Sequence, residues 1–155
     1  MIFLVTGGRG FIGSHFVEKL ISEGHEIIDI DKMTYAASKT LPWDDYVGYT
    51  HIKADICEID HLPVCDVIVN FAAESHVDNS IESPKQFLRS NVDGVFNILN
   101  LLRAKVYQKP LFVHISTDEV YGDVNEGEKK EDSILNPSNP YSPGVGDVPS
   151  RLIIG

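Results

Sequence analysis

A doubly wound parallel α/β sheet of about five strands is the fold this sequence predicts, on three observations. Short apolar runs alternate with segments of helical periodicity, the pattern that right-handed strand–helix–strand crossovers produce. A glycine-rich turn, Gly7 to Gly13, separates the first apolar run from the first helical one. The run 66–71 (DVIVNF) is continuous and β-branched, as a parallel strand buried on both faces is.

Taken in order, residues 1–5 (MIFLV) are a buried strand that feeds the turn TGGRG. Ile12, Phe16 and Leu20, flanked by Val17 and Ile21, then form a helical stripe, and Gly24 is placed to stop that helix. A second strand runs from Glu26 to Ile30, with Asp31 at its carboxyl end. Residues 32–49 lack clean periodicity and predict a loop with at most a short helix. Thr50 to Ala54 predicts a third strand, less buried because His51 and Lys53 interrupt it. After the DVIVNF strand, Pro84 opens the longest helix, over 84–105, with Phe87, Leu88, Val92, Val95, Leu99 and Leu102 on one face. Leu111 to Ile115 is the fifth strand, and the polar stretch 122–140 predicts a surface loop. No internal repeat is visible.

The chain has 155 residues, with 13 basic and 23 acidic side chains and a net charge of −10. At 43% hydrophobic and 23% charged it falls in the ordinary globular range. The acidity argues against nucleic-acid and acidic-membrane partners, both of which reward positive surface. An anionic ligand stays open, because backbone amides hold anions without net positive charge. No apolar run approaches the roughly 20 residues of a membrane span. The N-terminus lacks a basic region before its apolar run, predicting no signal peptide. Cys57 and Cys65 form no CxxC motif and read as two reduced thiols, consistent with a cytoplasmic protein. The six histidines, at 15, 25, 51, 61, 76 and 114, share no ligand spacing, so no metal site is expected.

Gly7, Gly10 and Gly13 follow a strand and open a helix, where glycines let the backbone approach a pyrophosphate and the helix terminus favours its charge. Asp31 lies eighteen residues beyond Gly13, at the end of the second strand. This is the arrangement of a Rossmann-type dinucleotide site, with Asp31 accepting from the ribose hydroxyls and repelling a 2′-phosphate, so NAD is favoured over NADP. The plainer alternative is a solvated strand-end carboxylate. Thr117, Asp118 and Glu119 leave the carboxyl end of the fifth strand. Adjacent carboxylates there can supply one acid and one base, or can be two solvated loop residues. Asn91 puts an amide on the apolar face of the long helix, where it needs partners, either as an organiser of the site or as a satisfied core residue. Gly94, one turn away, suggests a close approach of backbone.

The set TGGRGFIGSHFVEKL, DKMTYAA, NFAAESHVDNSI, SNVDGVFNIL, HISTDEVYGDV and NPYS resembles the extended short-chain dehydrogenase/reductase group, and within it the dTDP-glucose 4,6-dehydratases. The resemblance covers residues 1–142. It implies a lyase of nucleotide-sugar metabolism that uses NAD to convert dTDP-glucose into dTDP-4-keto-6-deoxyglucose, and it implies a homodimer. By this resemblance Phe11 and Ile12 would meet the pyrophosphate, and Asp31, Lys32, Met33 and Thr34 the adenosine ribose. Asp55 and Ile56 would meet the adenine. Phe71, Ala72, Ala73 and Ser90 would line the groove, while Ser75 would also touch the substrate. Tyr141 would remove the 4-hydroxyl proton beside the cofactor, and Thr117 would bond the sugar near O4. Asp118 would protonate the departing C6 hydroxyl, and Glu119 would take the C5 proton.

The resemblance stops at Ser142. The family's tyrosine is followed four residues later by lysine, and here Val145 stands in that place. Pro143, Gly144, Gly146 and Pro149 oppose the helix that would carry the pair. The expected organisation is therefore an NAD-binding domain over 1–142 and a divergent tail over 143–155, without the substrate domain, in a weakly active or inactive chain. The alternatives are an NAD-binding module without catalysis and another nucleotide-sugar epimerase or decarboxylase. A shortened sheet would leave the fifth strand as an open edge and the outer face of the long helix uncovered.

Overall fold

The computed structural model describes residues 1–75, 84–105, 109–122, 127–130 and 132–136. Its sheet is built from β1 (Ile2–Thr6), β2 (Glu26–Asp31), β3 (Tyr49–Lys53), β4 (Val67–Asn70) and β5 (Leu111–His114). All pairings are parallel and the order is β3-β2-β1-β4-β5. The chain lays β2 and β3 on one side of β1, then crosses back to add β4 and β5 on the other. That reversal leaves a crevice at the carboxyl ends of β1 and β4, where open α/β sheets hold their ligands.

Each face of the sheet is covered because alternate strand residues point opposite ways. Val5 and Ile27 pack with Val17 and Leu20 of α1 (Phe11–Ser22) and with Tyr49. Leu4, Ile30, Ile68 and Phe112 enter the other core, where Ile56, Leu62, Val95, Ile98 and Leu102 meet them. The helical stripe expected around α1 holds at Leu20, with Phe16 and Ile21 packed at the core margin. Ile12 departs from it and is 62% exposed, because the first turn of α1 stands at the sheet's carboxyl edge. Gly24 does stop the helix: its φ of 78° lets its N–H reach Ile21 O at 2.9 Å while the His25 N–H reaches Leu20 O at 3.1 Å.

The long helix is present but not uniform. It comprises α2 (Pro84–Leu88), a π-helical turn (Arg89–Asp93) and α3 (Gly94–Ala104). The wide turn changes which residues face the core. Ser90, Asn91, Gly94, Val95, Ile98 and Leu102 are buried along with Phe87, whereas Leu88, Val92 and Phe96 are exposed. A face that includes Leu88 and Val92, as even 3.6-residue periodicity requires, is thus corrected by the extra residue in the turn. Gly94 makes its close approach to the Ile56 side chain, which occupies the space a Cβ would need. As expected, β5 is an edge strand among the described residues.

Asn91 is 1% exposed, and both ends of its amide are used. Its Oδ1 accepts from the Glu74 N–H at 2.8 Å and its Nδ2 donates to Glu74 O at 3.0 Å. It therefore pairs with the segment leaving β4 as a neighbouring strand would. Asn91→Leu keeps the volume but strands both backbone groups, so urea denaturation is expected to show a loss of roughly 2–4 kcal/mol. A loss below about 0.5 kcal/mol, the level of an ordinary surface change, would show that this pairing carries no weight.

Candidate functional site

The glycine turn is shaped by crowding. Gly7 has φ 72°, and a Cβ there would lie 2.8 Å from Ala72 N and 2.9 Å from Ala72 Cα. Its N–H crosses to Ile30 O at 2.9 Å, tying the turn to β2. A Cβ on Gly13 would overlap Gly7 O, so α1 can start this close to the turn only with glycine there. No side chain caps α1 at Gly10, and no acidic residue lies in its first turn. Its leading amides are left for water or a ligand anion.

Beside this turn opens a cleft lined by Gly7, Gly10, Ile30, Asp31, Lys32, Thr34, Ala36, Ala37, Ala54, Asp55, Ile56, Phe71, Ala72, Ala73, Glu74 and Ser90. Eleven of the residues expected at a cofactor are thereby brought together: Gly7, Gly10, Asp31, Lys32, Thr34, Asp55, Ile56, Phe71, Ala72, Ala73 and Ser90. Phe11 and Ile12 point to solvent, and Gly13 lies beneath the turn. Met33, at φ 62°, faces a neighbouring cleft with Arg9, Lys39, Asp44, Tyr49 and His51. Ser75 is exposed and outside the lining. Tyr141 and Val145 lie outside the described residues.

Asp31 is 8% exposed, with its Oδ2 accepting from Arg9 N at 3.2 Å and its Oδ1 from Met33 N at 2.7 Å. Each carboxylate oxygen keeps a lone pair for a further donor. Lys32 donates to Ser90 Oγ at 2.9 Å and sits 3.6 Å from Glu74 Oε1, so the π-helical turn reaches the far wall.

A second polar network beneath the turn has no counterpart in the sequence reading. Asp29, fully buried in β2, accepts from the Gly8 N–H at 2.9 Å and from the Tyr49 hydroxyl at 2.7 Å. Tyr49 in turn accepts from Arg9 Nη1 at 3.2 Å, and Arg9 forms a two-point pair with Asp44 at 2.7 and 3.1 Å. A ring of hydrogen bonds thus leaves the turn at Gly8 and returns at Arg9. Hydrogen bonding to Asp44 raises the Arg9 pKa further, and the same contact lowers that of Asp44. The available signal was Asp29 itself, a carboxylate between isoleucines in the interior of β2.

At the carboxyl edge beyond β5, Thr117 caps a 3-10 turn (Asp118–Tyr121) by accepting from the Glu119 N–H at 3.3 Å. Asp118 is exposed and Glu119 half-buried; neither lines the cleft. Below them a polar ladder joins three strand ends in register. The Thr6 hydroxyl donates to Asn70 Oδ1 at 2.5 Å, and Asn70 Nδ2 donates to His114 Nδ1 at 3.0 Å, which places the imidazole proton on Nε2. No cluster of three or more His, Cys, Asp or Glu side chains suited to a metal ion occurs among the described residues. No helix among them is long and apolar enough to cross a membrane.

Residues 4–144 match the family described as GDP-mannose 4,6 dehydratase. Over 150 residues the chain is 43% identical to the low-salt glycan biosynthesis protein Agl12 of Haloferax volcanii, covering 92% of this chain and 47% of that one. It is 41% identical over 154 residues to the dTDP-glucose 4,6-dehydratase of Streptomyces niveus, covering 92% and 45%. The crystal structure of DesIV, a dTDP-glucose 4,6-dehydratase from Streptomyces venezuelae with NAD and TYD bound, superimposes with a TM-score of 0.85 at 39% identity, covering 94% of this chain and 48% of that one. The chain spans about half the length of the curated relatives it matches.

Burial pushes the Asp29 carboxyl up to about 6, against the pull of its bonds from Tyr49 and Gly8. The folded protein therefore holds this proton more tightly than the unfolded chain, whose carboxyl titrates near 3.8. The group's stabilisation is fullest below about pH 4 and is lost as pH rises to about 6, by up to roughly 3 kcal/mol. Asp29→Asn carries no such charge. Denaturant unfolding of both proteins should show the stability of the original falling relative to the variant across that window and running parallel above it. Parallel curves throughout would place the Asp29 carboxyl at its ordinary value.

Proposed function

The chain belongs to the GDP-mannose 4,6 dehydratase family, and on that premise we propose that these residues form the NAD-binding part of a dTDP-glucose 4,6-dehydratase. The supporting observation is the cleft itself: an uncapped helix start beside crowded glycines at one end and the Asp31 carboxylate at the other. A pyrophosphate would take the leading amides of α1, with Phe11 and Ile12 contributing backbone rather than side chains. Asp31 would use its remaining lone pairs for the two ribose hydroxyls, and its charge would repel a 2′-phosphate. Met33 supports that ribose site by donating its N–H to Asp31. Asp55 and Ile56 would border the adenine, with Phe71, Ala72, Ala73 and Ser90 along the groove.

When bound, NAD supplies a hydride acceptor for C4 of the glucose and later a hydride donor to C6. Glu119 would take the C5 proton, which a ketone at C4 makes acidic, while Asp118 would protonate the departing C6 hydroxyl. Their unequal burial supports unequal roles for neighbouring carboxylates. Thr117 would hydrogen-bond the sugar near O4, Ser75 would touch the substrate, and Tyr141 would take the 4-hydroxyl proton. With Val145 in place of a lysine that would favour the phenolate, turnover by this chain alone would be slow. The cytoplasm is the proposed location, given two free thiols. A homodimer is proposed as well, supported by the exposed apolar row Leu88, Val92 and Phe96.

Calorimetric titration of the folded chain tests the cofactor reading: NAD should bind one to one, and NADP at least about tenfold more weakly. Gly13→Ala should remove NAD binding while circular dichroism still shows a folded chain. A folded original that ignores saturating NAD would overturn the reading. For the assembly, light scattering should give twice the chain mass, shifting to the single mass in Val92→Glu; a monomer throughout removes the dimer.

A further inference from the structure

Arg9 carries the one side chain of the glycine turn to which the NAD reading assigns nothing, and it is among the most completely bonded side chains in the structure. Its side chain is 4% exposed, yet it stands outside the cleft lining. All five guanidinium protons have acceptors. Nε donates to Ser38 O at 2.9 Å, Nη1 to Asp44 Oδ1 and Tyr49 Oη, and Nη2 to Lys39 O at 3.0 Å and to Asp44 Oδ2. The Arg9 backbone takes part too, donating to Asp31 Oδ2 and accepting from the Ser38 N–H at 2.8 Å.

Residues 36–46 contain neither strand nor helix, and their internal hydrogen bonds close local turns. Apart from turns that close on the flanking chain, Ala37 N–H to Thr34 O and Tyr49 N–H to Tyr46 O, the hydrogen bonds that tie this strap to the rest of the fold among the described residues end on Arg9, through Ser38, Lys39 and Asp44. Apart from these, Trp43 packs at the margin of the α1-side core. The strap also supplies Ala36 and Ala37 to the cleft wall next to Asp31. One residue therefore forms part of the phosphate turn with its main chain and fastens down the opposite wall with its side chain.

We propose that Arg9 is a positioning residue for the adenosine side of the cleft, acting through the strap that its guanidinium fastens, so that the wall is built before the ligand arrives. The proposal rests on the NAD reading of the cleft. A wall that must be ordered on binding reduces apparent affinity in proportion to the fraction of time it is docked. Lysine cannot substitute, because an ammonium has three donors and no planar fork to span two carbonyls, a carboxylate and a phenol.

The strap contains its own reporter, since trypsin cleaves after Lys39. The experiment pairs limited trypsin digestion, read by mass at Lys39, with calorimetric titration of ADP-ribose, on the original chain and on Arg9→Met, Arg9→Lys and Asp44→Asn. In the original, Lys39 should resist cleavage without ligand. In Arg9→Met, cleavage should accelerate and ADP-ribose should bind about tenfold more weakly, as for a wall docked about a tenth of the time. Arg9→Lys should not rescue either property, and saturating ADP-ribose should restore protection at Lys39, a coupling that a purely structural role would not produce. If Arg9→Met fails to fold, Asp44→Asn, which keeps a neutral acceptor, should show both effects in smaller measure. Rapid cleavage of the unliganded original overturns the proposal. So does unchanged ADP-ribose affinity in a folded variant whose strap has opened. An original chain with a protected Lys39 that binds neither ADP-ribose nor NAD overturns the NAD reading, and the ligand role of Arg9 falls with it.

Discussion

Backbone crowding at the carboxyl end of β1 is the constraint on which the rest of the structure depends. Gly7 runs within about one carbon's width of Ala72, and Gly13 leaves no room for a side chain against the Gly7 carbonyl. Because the two segments are this close, α1 begins directly behind the turn, and its unpaired amides stand beside the segment leaving β4. That segment needs a support of its own once it has left the sheet. Asn91 provides it by imitating a strand against Glu74, and the wide turn in the long helix brings that amide inward. The crevice at the strand-order reversal is thus held from both sides by groups that cannot be enlarged or made apolar without cost.

An acidic chain that holds an anion must do so locally. With a net charge of −10, the protein has no long-range field to attract a pyrophosphate, and the cleft offers backbone amides in its place. Its buried ions serve the scaffold. Asp29 accepts from the glycine turn and from Tyr49, while Arg9 returns the network to the turn and neutralises Asp44. Removing one member of such a network generally costs more than the whole network contributes, since the remaining charge is left buried without a partner.

The sheet was legible in the sequence because parallel strands buried on both faces declare themselves as β-branched runs, and the strand bounds fall within a residue or so of those expected. The glycine turn between β1 and α1, which shares a cleft with Asp31, was legible through its three glycines and the place of Asp31 at the end of β2. Periodicity failed where the helix departs from 3.6 residues per turn: Leu88 and Val92 fit the arithmetic of an even helix, and the actual core side carries Ser90 and Asn91. Long-range polar pairing was equally hidden. Arg9 and Asp44 are separated by 35 residues of chain, and nothing in the composition of residues 32–49 shows that the strap is tied to the glycine turn. The interior aspartate of β2 was the visible irregularity, since a carboxylate in a buried strand must have partners.

The Thr6–Asn70–His114 ladder also bears on how the sheet chooses its alignment. Strand β5 has only four residues and pairs with β4 alone among the described elements, so backbone bonds by themselves discriminate poorly between neighbouring alignments. Asn70 is 1% exposed and can satisfy both ends of its amide only with a hydroxyl on one side and an imidazole on the other. A slip of β5 by one residue would set Val113 or Ile115 opposite it and turn the matching side chain to the other face of the sheet. The stranded amide would then cost about 1–3 kcal/mol, enough to favour the native alignment by roughly one to two orders of magnitude. The ladder acts as a vernier on the edge strand, setting by one residue where the loop carrying Thr117, Asp118 and Glu119 begins.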